Sequence, residues 1–240
     1  MKPGGSRKES AEQSIYAFDR GLPQPPVALI ANGFATQSVR AAVMAAVQGG
    51  IRWIHLRDHA AGAGAFLRHA AALADRVHAV QPSVTFSINT HAQAAHELGM
   101  GLHASWRSPR PEAMAAPVPR PLGYSAHHIM EVPPARRRVV DYVTYSPVFP
   151  TSSKPGHPGT GVAALRRFCA QSGGPVLALG GITPERARRC CAAGAAGVAV
   201  LSGILHATDP ARAARAYINA CMEALHRRPA PTFSAGAEPS

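Results

Sequence analysis

Between residues 27 and 226 the chain alternates a short apolar run with a helical pattern, and it does so eight times. The strand-like runs fall at 27–30, 51–56, 85–88, 101–103, 121–124, 142–144, 176–179 and 197–201. The helical patterns fall at 38–48, 62–80, 91–98, 111–116, 133–138, 162–172, 184–193 and 210–226. Alternation of this kind calls for a parallel sheet, because each helix returns the chain so that the next strand starts at the same end. The runs are mostly uninterrupted rather than alternating, as expected of strands buried on both faces. Eight units in about 200 residues lie near the lower size limit of a (β/α)8 barrel. A doubly wound open sheet is the alternative, but no glycine-rich turn follows the first run. The expected fold is therefore α/β, a single-domain (β/α)8 TIM barrel over residues 23–226. The polar, Gly/Ser/Pro-containing segments 1–22 and 227–240 are expected to be disordered tails. One helix start is well marked: Thr183-Pro184-Glu185 supplies a capping hydroxyl, a proline at the first helical position and an acid in the first turn.

Composition narrows the setting. With 46% hydrophobic and 16% charged residues, the chain can bury a sizeable core. No apolar run approaches a membrane span, and the N-terminal stretch has no apolar region of a secretory signal. Cys169, Cys190, Cys191 and Cys221 show no metal-ligand spacing, which points to a reduced, cytoplasmic location. The net charge of +12 raises the question of nucleic acid. Its arginines are scattered, however, and aromatic residues are only 6% and do not interleave with them. No nucleic-acid and no membrane partner is expected. The charge instead favours phosphorylated small molecules. The sequence leaves the oligomeric state open, a homo-oligomer included.

In such a barrel the chemistry sits at the C-terminal strand ends. The residues there are His55-Leu56-Arg57-Asp58-His59, Asn89-Thr90-His91, His103-Ala104-Ser105, Tyr124-Ser125-Ala126-His127, Gly180-Gly181 and Leu201-Ser202-Gly203. This rim is rich in His, Ser, Thr and Arg and nearly free of carboxylates. The sixth run leads into Thr151-Ser152-Ser153-Lys154. Among 25 Lys+Arg there are three lysines, and Lys154 is the one outside the N-terminal tail. A compact ammonium beside three hydroxyls suits a phosphate oxyanion. Gly180-Gly181 lets backbone N–H groups approach an anion, and Ser202-Gly203 can open a short extra helix. A substitution of Gly181 by Val is expected to weaken phosphate binding. No metal site is expected: a zinc cluster of His55, His59, His103 and His127 would need orienting acids that the rim lacks.

The stretches GYSAHH, DYVTYSPVFPTSSKPG and VLALGGITPERARRCCAAGAAGVAVLSGIL resemble the thiamine phosphate synthase/TenI superfamily, and IHLRD and SINT match it more loosely. The resemblance spans about residues 26–220 and implies a (β/α)8 barrel acting on a thiazole phosphate. It implies phosphate and substrate contacts from Arg57, Asn89, Ser125, Thr151, Ser153, Lys154, Gly180, Gly181, Leu201 and Ser202. The synthases read Gln-Leu-Arg-x-Lys on the second strand, where this chain has His55-Leu56-Arg57-Asp58-His59. Their two magnesium carboxylates are replaced here by Thr90 and Ser108. The TenI-like branch, a thiazole tautomerase that moves a proton without metal, is therefore the expected reading. His127 matches the family's catalytic histidine, with His55 as the competing acid–base. No cofactor is expected on this reading. Thiamine phosphate synthase, with magnesium, is the alternative, and a non-catalytic thiazole phosphate-binding protein is a third.

Overall fold

The computed structural model describes residues 21–106, 108, 110–113 and 117–227. Eight parallel strands close into one barrel in sequence order: β1 (Val27–Asn32), β2 (Trp53–Arg57), β3 (Thr85–Asn89), β4 (Gly101–Ala104), β5 (Leu122–Ala126), β6 (Tyr142–Tyr145), β7 (Val176–Leu179) and β8 (Gly197–Val200). Val27, Ala28 and Leu29 pair with Val198, Ala199 and Val200, which seals the ring. The helices are α1 (Gln37–Gln48), α2 (Ala63–Val80), α3 (Ala92–Glu97), α4 (Pro134–Arg137), α5 (Gly161–Ser172), α6 (Pro184–Ala192), α7 (Ser202–Leu205) and α8 (Pro210–His226).

Helix starts follow their capping chemistry. Thr183 accepts from the Arg186 N–H at 3.3 Å ahead of Pro184, and Asp209 accepts from the Arg212 N–H at 2.9 Å ahead of Pro210. The helix expected at 111–116 is a 3-10 turn over Pro111–Ala113, and residues 114–116 lie outside the described residues. Prolines at 109, 111, 117, 119 and 121 remove the N–H groups a longer helix would need. The expected tails lie outside the described residues except for Gly21, Leu22 and Arg227. Leu22 is not tail-like: it is buried against Ala28, Trp53, Tyr142 and Leu177 and fills part of the barrel lumen.

The strands alternate more than their apolar content suggests. In β2, Ile54 and Leu56 pack outward under the helices, while Trp53, His55 and Arg57 line the lumen or the cavity above it. In β3, Phe86 and Ile88 belong to the outer core, and Ser87 and Asn89 face inward. The lumen is thereby divided. The β1, β7 and β8 side is apolar, with Ala28, Ile30, Leu177, Leu179 and Ala199. The β2 to β6 side carries His55, His103, Ser125, Tyr142 and Thr144.

Candidate active site

A cavity of about 500 Å³ opens at the C-terminal ends of the strands. It is lined by Arg57, Asn89, Ser125, His127, Thr151, Ser153, Lys154, Gly180, Gly181, Leu201 and Ser202, so the fold brings together every site residue expected from sequence except His55. Because the strands run in order around the ring, β2 stands across the barrel from β6. Arg57 and His59 therefore occupy the wall opposite the Lys154 loop.

The β6–α5 loop is fastened to the end of β7. The Val148 N–H donates to the Leu179 carbonyl at 2.9 Å and the Phe149 N–H to that of Gly180 at 3.1 Å. Gly180 and Gly181 have φ of +99° and +62°, a region that favours glycine. A Cβ on Gly180 would lie 2.7 Å from the Pro147 Cβ, and one on Gly181 would strike the Pro150 carbonyl oxygen. The two glycines are thus needed for the loop to close on β7, whatever they do for an anion. A valine at Gly181 would disturb that closure and would not isolate phosphate binding. Arg186 donates to the Gly181 carbonyl at 2.7 Å while stacking over Phe149 at 4.7 Å, and the Tyr217 hydroxyl donates to the Ile182 carbonyl at 2.8 Å. These bonds fix two successive peptide planes of the turn. Ser202 and Gly203 form the first turn of α7, where N–H groups have no intrahelical acceptor. Lys154 is exposed at the lip, and its backbone N–H donates to the Thr151 carbonyl at 3.1 Å.

His127 sits just past β5. Its Nδ1 is 2.6 Å from the Ser146 carbonyl oxygen, and its backbone N–H donates to Glu131 Oε2 at 2.7 Å. Across the cavity, Arg57 Nε donates to His59 Nε2 at 3.0 Å, and burial lowers the Arg57 pKa from its ordinary value. Thr90 has φ of +60°, a strained conformation for a β-branched residue. The cavity lining contains no Asp or Glu. Among the described residues no cluster of His, Cys, Asp or Glu is arranged to hold a metal ion.

His55 lies lower, in the lumen, where it lines an inner cavity of about 70 Å³ with His103, Tyr142 and Thr144. Its Nδ1 is 3.0 Å from Ser87 Oγ. Burial pushes its pKa down to about 4; a hydrogen bond with Asn89 opposes this and the Arg57 charge adds to it. His103 is likewise held well below the ordinary range by burial and by His55. His55 is therefore a neutral member of the floor and does not reach the mouth.

The sequence matches the model of the thiamine monophosphate synthase family over residues 27–204. The chain belongs to this family. It is 34% identical over 176 residues to the thiamine-phosphate synthase of Methanoregula boonei, covering 71% of this chain and 80% of that one. It is 34% identical over 182 residues to the thiamine-phosphate synthase of Bacillus licheniformis, covering 72% and 79% respectively. In fold it resembles the thiamine phosphate pyrophosphorylase from Pyrococcus furiosus, with a TM-score of 0.72, 23% identity, and coverage of 83% of this chain and 96% of that one. The protein is thus an enzyme of thiamine biosynthesis. No helix among the described residues is long and apolar enough to cross a membrane.

Ser146 and Pro147 also line the cavity and were not singled out from sequence, and His91 and Ile182, strand-end residues with no assigned role, join them. Ser146 could have been suspected from its place directly after β6. Nothing local marks the inward role of Tyr142, whose partner His103 is 39 residues away in the chain.

Proposed function

We propose that the protein is a thiamine phosphate synthase, which joins an aminopyrimidine diphosphate to a thiazole phosphate. One observation carries this reading: a single cavity has anion-binding groups on opposite walls, Arg57 and His59 on one side and Lys154 with the Gly181 and Ser202 turns on the other. A synthase must hold a phosphate and a diphosphate on two separate ligands at once, whereas the single ligand of a tautomerase carries one phosphate and a carboxylate. The names of the relatives support the same choice over the tautomerase expected from sequence.

In this reaction the bond between the pyrimidine methylene and the diphosphate oxygen breaks, and the diphosphate leaves with the electron pair. The thiazole nitrogen lone pair then forms the new bond to that methylene. Negative charge collects on the leaving diphosphate, where preorganised cations and N–H groups lower the barrier. The resemblance implies magnesium for this step, but these residues do not fit a protein-held magnesium ion. Magnesium takes hard oxygen ligands, usually one or two carboxylates plus phosphates. The cavity lining offers no carboxylate, and the Ser108 hydroxyl is turned to the Ser105 N–H at 3.2 Å. The charge falls instead on Arg57 and Lys154, which face each other across the mouth.

The tautomerase remains a second reading, favoured by the bond from His127 to Ser146, which leaves Nε2 as a lone pair for proton transfer. The two are separated by supplying purified protein with aminopyrimidine diphosphate and thiazole phosphate, and in parallel with the isomeric thiazole carboxylate phosphate. Thiamine phosphate formation is the expected result. Isomerisation without any thiamine phosphate would overturn the synthase reading.

A further inference from the structure

The bond changes of the reaction leave Trp106 without a role. Among the described residues three large apolar side chains are exposed, Val80, Trp106 and Met130, and Trp106 alone of them lines the mouth. Its exposure is 75%, whereas Trp53, the chain's other tryptophan, is fully buried in the lumen. A single exposed apolar residue is ordinary on a protein surface. The placement is what matters here: an indole on the wall of the cavity offers a flat aromatic face where a ligand with a ring enters.

The backbone that carries this indole is held in place. Beyond the end of β4, the Ser108 N–H donates to the Ser105 carbonyl at 2.9 Å, and the Ser105 N–H donates to Ser108 Oγ at 3.2 Å. Trp106 follows Ser105 directly, so it sits between two tied points. The strand before it is tied to its neighbour, since the Thr90 N–H donates to the His103 carbonyl at 2.9 Å. A ring on a braced backbone gives up little conformational freedom when a ligand packs on it.

Strand order fixes which part of the ligands Trp106 meets. β4 stands across the ring from β8, so Trp106 lies over the width of the mouth from Leu201 and Ser202. On the proposed function, the thiazole phosphate is anchored at the Gly181 and Ser202 turns. In the joined product the thiazole lies between its phosphate arm and the pyrimidine. The pyrimidine is therefore the ring furthest from that anchor, which puts it on the β4 side. No other Phe, Tyr or Trp among the described residues lines the mouth. The His91 ring, at the neighbouring end of β3, is already stacked on Phe66 with centroids 4.5 Å apart.

We infer that Trp106 is a specificity-determining residue whose indole packs against the aminopyrimidine ring and screens it from water. This rests on the synthase reading. What the indole recognises is the flat, electron-poor face of a nitrogen heterocycle, since it carries no charge and its single N–H only donates. The diphosphate is left to Arg57 and His59, so the ring and the leaving group are held from different strand ends, β4 and β2.

The test uses the full chain and its own fluorescence. Trp53 is shielded in the lumen, so emission that acrylamide can quench belongs to Trp106. Saturating aminopyrimidine diphosphate is expected to suppress that quenching, while saturating inorganic diphosphate leaves it unchanged. This measurement needs no variant. In Trp106→Ala, calorimetric affinity for aminopyrimidine diphosphate should fall about tenfold, with affinity for inorganic diphosphate unaltered. Trp106→Phe keeps a flat ring and should recover most of the loss. Undiminished quenching in the saturated complex would overturn the inference, and so would protection by thiazole phosphate alone. Equal losses for aminopyrimidine diphosphate and inorganic diphosphate would overturn it too, because Trp106 would then shape the backbone after β4 rather than meet the ring. If aminopyrimidine diphosphate does not bind the native protein at all, the synthase reading falls and the ring assignment with it. A complex that forms but leaves Trp106 unshielded overturns the role of Trp106 alone.

Discussion

His127 donates through Nδ1 to the Ser146 carbonyl oxygen at 2.6 Å. A carbonyl can only accept, so the tautomer is fixed and Nε2 is the basic atom when the ring is neutral. Asparagine can keep a donor near the Nδ1 position but has nothing at Nε2. His127→Asn should therefore melt within a degree or two of the native protein. If His127 transfers a proton, thiazole isomerisation should fall about 10²–10⁴-fold, while thiamine phosphate formation falls much less. Equal losses in both assays would show that His127 serves binding or structure rather than proton transfer.

The phosphate corner is best probed at Lys154. The side chain is exposed at the lip, so its removal should leave stability unchanged. Lys154→Ala should weaken thiazole phosphate binding by about 1.5–3 kcal/mol, as expected for a hydrogen bond to a charged group. Calorimetric titration with thiazole phosphate measures this, and native affinity in the variant would exclude Lys154 from the site.

Gly181 answers a different question. Its left-handed backbone and its contact with Pro150 predict that Gly181→Ala loses about 1–3 kcal/mol of stability. Urea unfolding checks this. A variant as stable as the native protein would mean that the β6–α5 loop moves aside at little cost.

The barrel was legible because each strand–helix unit carries its own local signal. The run at 176–179 matches β7 residue for residue, and 210–226 matches α8. The rim was legible for the same reason: a residue at the end of a strand falls in the mouth by topology alone. The lumen was read too coarsely. Trp53-Ile54-His55-Leu56-Arg57 and Thr85-Phe86-Ser87-Ile88-Asn89 do alternate, with the polar or large polar-tipped residues inward. Reading them as uninterrupted runs placed His55 at the mouth, whereas its side chain lies in the floor below. The His103–Tyr142 pair depends on β4 and β6 facing each other across Gly123, which no local pattern reveals.

The two lumen histidines should make stability depend on acid. His55 titrates near 4 in the folded protein and near 6.5 when unfolded. Between those values the unfolded chain binds more protons, so stability is full above about pH 6.5 and declines as the pH falls toward 4. The His55 contribution is roughly 3 kcal/mol over that window, and His103 adds in the same direction. Urea midpoints should stay level from pH 7.5 to about 6.5 and fall from there to pH 4.5. His55→Gln should flatten the slope, and an unchanged slope would show that His55 is not held neutral by the fold.

Thr90 links backbone strain to the missing carboxylate. A non-glycine residue held at φ of +60° costs about 1–3 kcal/mol, and asparagine and aspartate tolerate this conformation better than a β-branched side chain. Thr90→Asn should therefore raise stability by about 1 kcal/mol. Thr90→Asp should relieve the same strain and also bring a carboxylate to a cavity whose lining has none. Magnesium should then bind more tightly in the presence of diphosphate, by about tenfold or more, while the native protein keeps its activity in EDTA. Calorimetric titration of magnesium into the diphosphate complex of each protein gives the comparison. Tight magnesium binding by the native chain, together with loss of its activity in EDTA, would show that oxygen ligands other than carboxylates suffice here and that Arg57 and Lys154 do not carry the leaving-group charge alone.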